Sequence, residues 1–462
     1  MRRSFFSVRS AGAAFAIGAA LALTPALAFA EGTPTVVPTP QSMEVGSGSV
    51  SLADGVNVVD DGADEDAVAA LEEVLADAGV TVSDAAKTTI YLGETDDAAQ
   101  TAAATELSLD ASELGAEGYV LGASSETGTI VLNGADGDGS FYAVQTLAQL
   151  IDDSSVPDVS ITDKPEMAHR GVIEGFYAGG GAGWTWEDRQ NQLEYYGETK
   201  LNTYIYAPKD DPYHRANWRD PYPAEQLAKM EKLVQIADEN KVDFVFAISP
   251  GNTIDLESES DFEALVSKCE TMYKLGVRHF AIFFDDISLT GSDPGTQQAE
   301  LLNRFQTEFL DEKGDCSPLV TVPTKYDSLA MTNTPEEGSS FNEYSNHFAE
   351  TLDDRIEVLY TGPAVVPEGI PAENVDLVKE LYGDRLGIWW NYNCNDFLRN
   401  KLCLGPMYGL DNELGEKTDY FVSNPMGWAE LNKVSEATAA DYSWNTDVYD
   451  ADASLEAAVP YV

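Results

Sequence analysis

Basic residues, cysteine and histidine are all scarce in this chain. Lysine and arginine together number 27 against 79 acidic residues, which gives a formal net charge of −52. A surface of that sign repels nucleic acid and anionic membranes, so we expect neither as a partner. Four cysteines are too scattered for a disulfide framework, although Cys394 and Cys403 could either pair or stay free. Four histidines without a cluster argue against hydrolysis by a zinc ion.

Long apolar runs are confined to the N-terminus. A basic start is followed by the apolar stretch Ala11–Leu23 and by small residues at Ala28 and Ala30. This three-part pattern predicts a secretory signal peptide over residues 1–30. No later stretch reaches the ~18 apolar residues of a membrane span. We therefore expect a secreted, extracytoplasmic protein without membrane insertion.

Residues 31–163 predict a small α+β domain. Helical spacing of apolar residues runs from Asp64 to Ala78, and a second amphipathic segment opens at Gly139. Between them lie strand-like runs at Thr88–Leu92, Tyr119–Leu121 and Thr129–Leu132. This region contains no catalytic cluster, and Ile161–Pro165 is predicted to be the linker that leaves it.

Residues 165–450 show a different rhythm, in which short apolar strands alternate with amphipathic helices. Eight such strands predict a (β/α)8 barrel. A doubly wound open sheet is the alternative, but no glycine-rich phosphate loop follows the first strand. Residues 451–462 are predicted to form a C-terminal tail. The predicted strands are Val172–Ile173, Thr203–Tyr206, Phe244–Ile248, Phe280–Phe284, Leu319–Val322, Ile356–Leu359, Leu386–Trp389 and Tyr420–Val422.

Polar and aromatic residues follow these strands, where the catalytic residues of a barrel are found. The set combines acids, amides, hydroxyls and indoles, which suits the hydroxyls and C–H faces of a sugar. Asp210, Asp211 and His214 could suggest a metal site, but capping or solvated roles are favoured for them. The set comprises Glu174–Tyr177, Lys209–Asp211, Asp285, Asp286, Lys325, Tyr326, Thr361, Trp389–Asn391, Asp396 and Asn424.

The adjacent carboxylates of Asp285 and Asp286 are the candidate catalytic pair. They follow five residues without a polar side chain, and two acids at the end of a buried strand are costly unless they have a function. Glycoside hydrolysis needs an acid for the leaving oxygen and a second group at the anomeric carbon. Repulsion and burial are expected to push the two pKa values apart.

Three longer blocks, His169–Tyr177, Leu201–Asp211 and Phe280–Ile287, resemble glycoside hydrolase family 84. This is the O-GlcNAcase and bacterial "hyaluronidase" family of β-N-acetylglucosaminidases. The shorter blocks Tyr360–Pro363, Trp389–Asn391 and Ser423–Pro425 continue the resemblance in the same order. Residues 36–163 also resemble the small domain that precedes the barrel in this family and in family 20 hexosaminidases.

The resemblance implies a retaining exo-β-N-acetylglucosaminidase that acts on a GlcNAc-bearing glycan or glycoprotein through an oxazoline intermediate. It implies that Asp285 orients the acetamido group of the sugar and that Asp286 is the general acid and then the base. It implies no cofactor and no metal. The implied substrate-binding residues are Gly175, Lys209, Tyr326, Thr361, Trp389, Asn391, Asp396 and Asn424.

Two other functions compete with this one. An endo-acting hyaluronidase would cut a polyanionic glycan, and the net charge argues against that substrate. A non-catalytic glycan-binding module would keep the fold, but the intact pair Asp285 and Asp286 argues against it.

Overall fold

The computed structural model describes residues 34–60, 62–178, 183–333, 340–398 and 400–461. The predicted signal peptide, residues 1–30, lies outside them. No helix among the described residues is long and apolar enough to cross a membrane.

The first part of the described chain is a six-stranded mixed sheet with three helices. Asp64 and Asp136 cap α1 and α3 by accepting hydrogen bonds from backbone N–H groups of the first turn. The strands are β1 (Ser42–Ser51), β2 (Val56–Val59), β3 (Thr88–Glu94), β4 (Tyr119–Ser124), β5 (Thr129–Gly134) and β6 (Ser155–Asp163), in the spatial order β1-β6-β4-β5-β3-β2. The helices are α1 (Glu65–Asp77), α2 (Ala98–Glu106) and α3 (Gly137–Leu150).

The linker prediction at residues 161–165 was wrong in its first half. Ile161 and Asp163 belong to β6, which lies between β1 and β4 in the sheet. Val159 and Ile161, two positions apart, are buried and give this strand an apolar face. Strands β1 and β6 and helix α2 were not predicted, because their larger apolar residues are few and interspersed with Gly, Ser, Asp and Ala, and β2 was not predicted because it has only four residues.

The second part of the chain is a closed barrel of eight parallel strands, which confirms the predicted fold. Each of the eight predicted strands overlaps an observed one. The strands are β7 (His169–Ile173), β8 (Thr203–Tyr206), β9 (Asp243–Ile248), β10 (His279–Phe283), β11 (Val320–Val322), β12 (Glu357–Tyr360), β13 (Leu386–Trp390) and β14 (Tyr420–Ser423). The helices are α4 (Trp186–Glu198), α5 (Ala224–Glu239), α6 (Glu259–Lys274), α7 (Pro294–Phe305), α8 (Asp311–Lys313), α9 (Ser328–Met331), α10 (Glu343–Thr351), α11 (Ala372–Tyr382), α12 (Ala429–Trp444) and α13 (Ala451–Ala458).

Alternation along the strands builds two apolar layers. Phe283 belongs to the cluster inside the barrel, whereas its neighbours Ile282 and Phe284 belong to the cluster that packs against the helices. Inward side chains thus fill the barrel, and the residues just past each strand meet at one mouth. Residues 451–462, expected as a tail, include α13, whose Ala458 is buried.

A buried polar cluster joins the sheet to the barrel. The ammonium of Lys200 donates to the hydroxyl of Tyr119 at 2.7 Å and lies 4.7 Å from the centre of the Trp444 ring. Tyr119 and Trp444 both donate to the carboxylate of Asp163, at 2.6 and 2.8 Å. Burial lowers the pKa of Lys200 to about 8.

Candidate active site

All ten predicted site residues line one pocket at the carboxyl ends of the barrel strands. Its volume is about 360 Å³. Tyr177, which the sequence placed after the first strand without a role, also lines it, together with five residues that the sequence did not indicate, namely Val322, Val365, Val366, Cys394 and Phe397. The predicted ones are Gly175, Lys209, Asp285, Asp286, Tyr326, Thr361, Trp389, Asn391, Asp396 and Asn424.

Asp285 lies two residues past the end of β10 and is a buried carboxylate. One of its oxygens, Oδ2, accepts from the ammonium of Lys209, and the two side chains are only 7% and 1% exposed. The ammonium also lies 5.6 Å from the centre of the Trp389 ring. The other carboxylate oxygen of Asp285, Oδ1, is buried and has no hydrogen-bond partner among the described residues. Because Asp285 lines the pocket, this oxygen can accept a hydrogen bond from a ligand.

Asp286 differs from its neighbour in every respect. It is exposed to the pocket, and its backbone has φ +54°, in the left-handed region that few residues other than glycine adopt. The phenol groups of Tyr326 and Tyr177 donate to its two oxygens at 2.7 and 2.9 Å. The two adjacent acids therefore have separate hydrogen-bond partners, Lys209 for Asp285 and the two phenols for Asp286.

The pKa of Asp286 departs from its usual range in the direction opposite to that expected from repulsion and burial. Burial raises the pKa of Asp286, but the Tyr326 hydroxyl, the charge of Lys209, the Tyr177 hydroxyl and the charge of Arg215 together hold it below its usual range. The sequence placed two acids side by side and suggested repulsion. The structure instead surrounds the second acid with hydrogen-bond donors.

A chain of amide hydrogen bonds ties together the ends of strands β7, β13 and β14. The N–H of Gly175 donates to Asn424 Oδ1 at 3.2 Å, and Asn424 Nδ2 donates to Asn391 Oδ1 at 2.8 Å. Asn391 Oδ1 also accepts from the indole of Trp389 at 2.7 Å, and its Nδ2 donates to Val365 O at 2.8 Å. The orientation of both amides is therefore fixed by their partners.

Gly175 is required by its contact with Trp389. A Cβ added at Gly175 would lie 2.4 Å from Cζ2 of the indole. A side chain at this position would displace the ring from the pocket wall. Glycine here is a consequence of close packing rather than of backbone conformation.

The remaining predicted residues are held by local bonds. Thr361 donates through its hydroxyl to Ala364 O at 2.9 Å and through its N–H to Tyr326 O at 2.8 Å. The carboxylate of Asp396 accepts from the backbone N–H of Tyr177 at 2.9 Å. Cys394 also lines the pocket beside Asp396, and burial raises the pKa of its thiol. All four cysteines are free, so Cys394 and Cys403 do not pair.

A buried ion pair supports the first strand end from behind. Arg189 on α4 donates twice to the carboxylate of Glu174, both times at 2.7 Å, and Tyr204 on β8 donates to the same carboxylate at 2.5 Å. The bidentate geometry fixes Glu174, and with it the backbone of Gly175.

The side chains of Asp210, Asp211 and His214, considered above as a possible metal site, each contact other groups of the protein. The carboxylate of Asp211 accepts from the hydroxyls of Tyr206 and Tyr222, each at 2.8 Å. Asp210 accepts from the N–H of Ala178 at 2.5 Å, and Nδ1 of His214 lies 2.8 Å from Ala247 O. Within the described ranges, no group of three or more potential ligands could hold a metal ion.

The pocket therefore combines two unlike carboxylates with a wall that can bind a sugar. One acid is buried and ion-paired, and keeps an oxygen for a ligand donor. The other is exposed at the wall and bonded to phenols that can exchange partners. Amides, a threonine hydroxyl and an indole complete a surface suited to hydroxyl groups and C–H faces.

The two parts of the chain match two different protein families. The sequence profile of the β-N-acetylglucosaminidase family matches residues 170–462, and that of glycosyl hydrolase family 20, domain 2, matches residues 33–164. Protein O-GlcNAcase of Mus musculus is 32% identical over 277 residues, which is 59% of this chain but 29% of that protein. The chain thus spans under a third of the length of this curated relative.

Solved structures give the same result. The structure of CpGH84B is 41% identical and has a TM-score of 0.86, with 93% of this chain and 74% of that chain covered. The O-GlcNAc hydrolase of Thermobaculum terrenum, solved as a mutant, is 31% identical with a TM-score of 0.59, covering 64% of this chain and 63% of that one.

Proposed function

The chain belongs to glycoside hydrolase family 84, the β-N-acetylglucosaminidase family, and from this premise we propose that it removes terminal β-linked GlcNAc with retention of configuration. We assign the catalytic roles to Asp285 and Asp286 and substrate binding to the other eight predicted residues. The sugar's own acetamido oxygen is the nucleophile in this proposal. The observation that carries it is the buried, ion-paired Asp285 with one oxygen left to accept a hydrogen bond.

In the first step, the acetamido N–H donates to Asp285 Oδ1. The negative charge polarises the amide, so that its oxygen attacks the anomeric carbon, the N–H proton passes to Asp285 and an oxazoline ring closes. Lys209 holds Asp285 in place and stabilises its ionised form. Asp286 gives its proton to the leaving oxygen, and the glycosidic bond breaks.

In the second step, Asp286 takes a proton from water. The hydroxide adds to the anomeric carbon, Asp285 returns its proton to the ring nitrogen and the oxazoline opens, which restores the acetamido group. Two displacements at one carbon give net retention without a covalent bond to the enzyme. The phenol groups of Tyr177 and Tyr326 stabilise the ionised Asp286 that this step requires.

Exo action is proposed because the pocket is small. A volume of about 360 Å³ suits one sugar ring and its acetamido group better than an extended chain. The net charge of −52 also disfavours a polyanionic substrate such as hyaluronan. Aryl β-GlcNAc, aryl β-glucoside and hyaluronan should therefore be assayed side by side. Equal rates on the glucoside and the GlcNAc substrate would refute substrate assistance, and cleavage of hyaluronan within the chain would favour the endo alternative.

The roles of the two aspartates can be distinguished by varying the leaving group. Asp286→Asn should strongly slow cleavage of an alkyl or sugar aglycone, because general acid catalysis contributes about 10²–10⁴-fold. It should leave much of the first step intact for a dinitrophenyl aglycone, which departs without a proton. Asp285→Asn should be slow on both substrates. The opposite pattern would show that the two roles are assigned the wrong way round. Full activity in both variants would show that this pocket is not the active site.

We also propose that the protein is exported. The support is the signal-like sequence of residues 1–30. N-terminal sequencing of the protein from culture medium should begin just after Ala30, and retention of the leader in the cell fraction would contradict export.

A further inference from the structure

Arg215 lies next to the pocket but does not follow directly from a strand. It belongs to the loop between β8 and α5 and is half-buried. Its Nη1 donates to the hydroxyl of Tyr177 at 2.5 Å, and its Nη2 lies 3.4 Å from the backbone oxygen of Asp286. Its guanidinium carbon lies 5.5 Å from the centre of the Tyr177 ring. One cation therefore contacts both a phenol and the backbone of the catalytic acid.

The contact with Arg215 determines the direction in which the Tyr177 hydroxyl donates its proton. A guanidinium has donors and no acceptor, so the oxygen of Tyr177 must accept from Arg215. The hydroxyl has one proton, and the bond of 2.9 Å to Asp286 Oδ2 uses it. Arg215, Tyr177 and Asp286 thus form a chain that runs from cation to phenol to carboxylate, and each bond polarises the next.

We propose that Arg215 is a positioning residue, which orients the Tyr177 hydroxyl toward Asp286 and holds the backbone turn that presents this carboxylate. The inference rests on the proposed function, because it assigns Arg215 to the acid–base step. Asp286 has φ +54°, and the bond from Arg215 to its backbone oxygen supports that costly conformation.

The carboxylate of Asp286 is also faced or adjoined by Tyr177, Tyr326, Lys209 and Asp285. Tyr326 donates to Asp286 Oδ1, and Lys209 is ion-paired with the adjacent Asp285. The positive charge of Arg215 adds to these influences, all of which except the charge of Asp285 favour ionised Asp286. Removing the guanidinium therefore raises the pKa of Asp286, and the pH above which kcat/KM falls moves upward.

The test compares two arginines of one loop. Arg215→Met removes the first donor of the hydrogen-bond chain from Arg215 through Tyr177 to Asp286. Arg219→Met is the matched control, because Arg219 binds Asp261 and Thr253 instead. Tyr177→Phe breaks the chain from the phenol side, and the double variant Arg215→Met/Tyr177→Phe measures coupling. Each variant is assayed from acid to alkaline pH on methyl and dinitrophenyl β-GlcNAc, with its urea midpoint recorded to show that it is folded.

The expected result is a selective loss. Arg215→Met should lower kcat/KM about tenfold on the methyl glycoside, the size of one lost charge-assisted hydrogen bond, and less on the dinitrophenyl one. Its upper pH limb should move to higher pH, and the double variant should lose little more than Tyr177→Phe alone. Arg219→Met should keep the wild-type profile.

Failure of this inference is distinct from failure of the proposed function. If the wild-type protein does not cleave aryl β-GlcNAc, the function is wrong. If it does, while Arg215→Met has the pH profile and leaving-group dependence of Arg219→Met, the positioning role is wrong. Additive losses from Arg215→Met and Tyr177→Phe would also overturn it, because residues that act in one chain do not add.

Discussion

The buried ion pair of Lys209 and Asp285 makes stability depend on both partners at once. Replacing Asp285 by Ala would leave the ammonium of Lys209, which is 1% exposed, without its carboxylate. The Trp389 ring, 5.6 Å away, and the charge of Asp286 would still act on it, but neither replaces a carboxylate in direct contact. An uncompensated charge in such a place is expected to lower the free energy of unfolding by about 3–5 kcal/mol.

The size of the effect depends on what replaces the carboxylate. Asp285→Asn keeps an amide oxygen that can still accept from Lys209, so its loss should be clearly smaller than that of Asp285→Ala. Replacing both partners by apolar residues, in Lys209→Met/Asp285→Leu, removes the desolvation cost as well as the attraction. This double variant should therefore be more stable than Asp285→Ala, although it has lost more polar contacts.

The assay is urea unfolding followed by far-ultraviolet circular dichroism, with the four chains compared at pH 7. If Asp285→Ala lost less than about 1 kcal/mol, the pair would behave as an exposed one and the reasoning would be refuted. The same would follow if the double variant were the least stable of the set. The result also decides how catalysis is studied, because Asp285→Asn tests the chemistry without stranding a buried charge.

Three further outcomes are expected. Tyr326→Phe removes the hydroxyl that lies 2.7 Å from Asp286 Oδ1, so the pKa of Asp286 rises and the upper limb of the kcat/KM profile moves to higher pH; an unmoved limb would contradict this. Asp286→Gly should be about 1 kcal/mol more stable than Asp286→Ala, because φ is +54° there, and equal urea midpoints would speak against a left-handed backbone. Burial lowers the pKa of Lys200 from 10.5 to about 8, so the unfolded chain binds more protons between these values and stability rises with pH, by up to about 3 kcal/mol. Lys200→Met should lack this rise, and parallel curves for the two proteins would show that the ammonium is solvated.

The barrel and the membership of its pocket could be predicted because both depend on local order. Short apolar strands such as Thr203–Tyr206 are visible in the sequence, and parallel strands present their carboxyl ends at one mouth. Residues that lie within three positions of a strand end, such as Lys209 and Asp285, are therefore brought together at this mouth. The same reasoning placed Asn391 and Asn424 in one pocket although they come from different strands.

The contacts among these residues could not be predicted, because they depend on loop conformation. Arg215 lies well past the end of β8, and no spacing rule connects it with Tyr177 or Asp286. The scarcity of cations in the chain was the one signal that could have drawn attention to it. The lowered pKa of Asp286 could not be predicted for the same reason, since the phenols that help to lower it come from other strand ends. Strand β6 was missed because its apolar residues are interrupted by Asp158 and Ser160.

The amide chain that joins Gly175, Asn424 and Asn391 also bears on how the protein ages. Asparagine deamidates when the backbone nitrogen of the next residue attacks the side-chain carbonyl. Pro425 follows Asn424, and a proline nitrogen carries no hydrogen, so the usual cyclisation is closed at that position. The amide of Asn391 is immobilised by Trp389, Asn424 and Val365, which keeps its carbonyl from reaching the geometry of attack. Asn391 and Asn424 should therefore keep their amides during long storage in warm buffer, while exposed asparagines elsewhere in the protein slowly become acids.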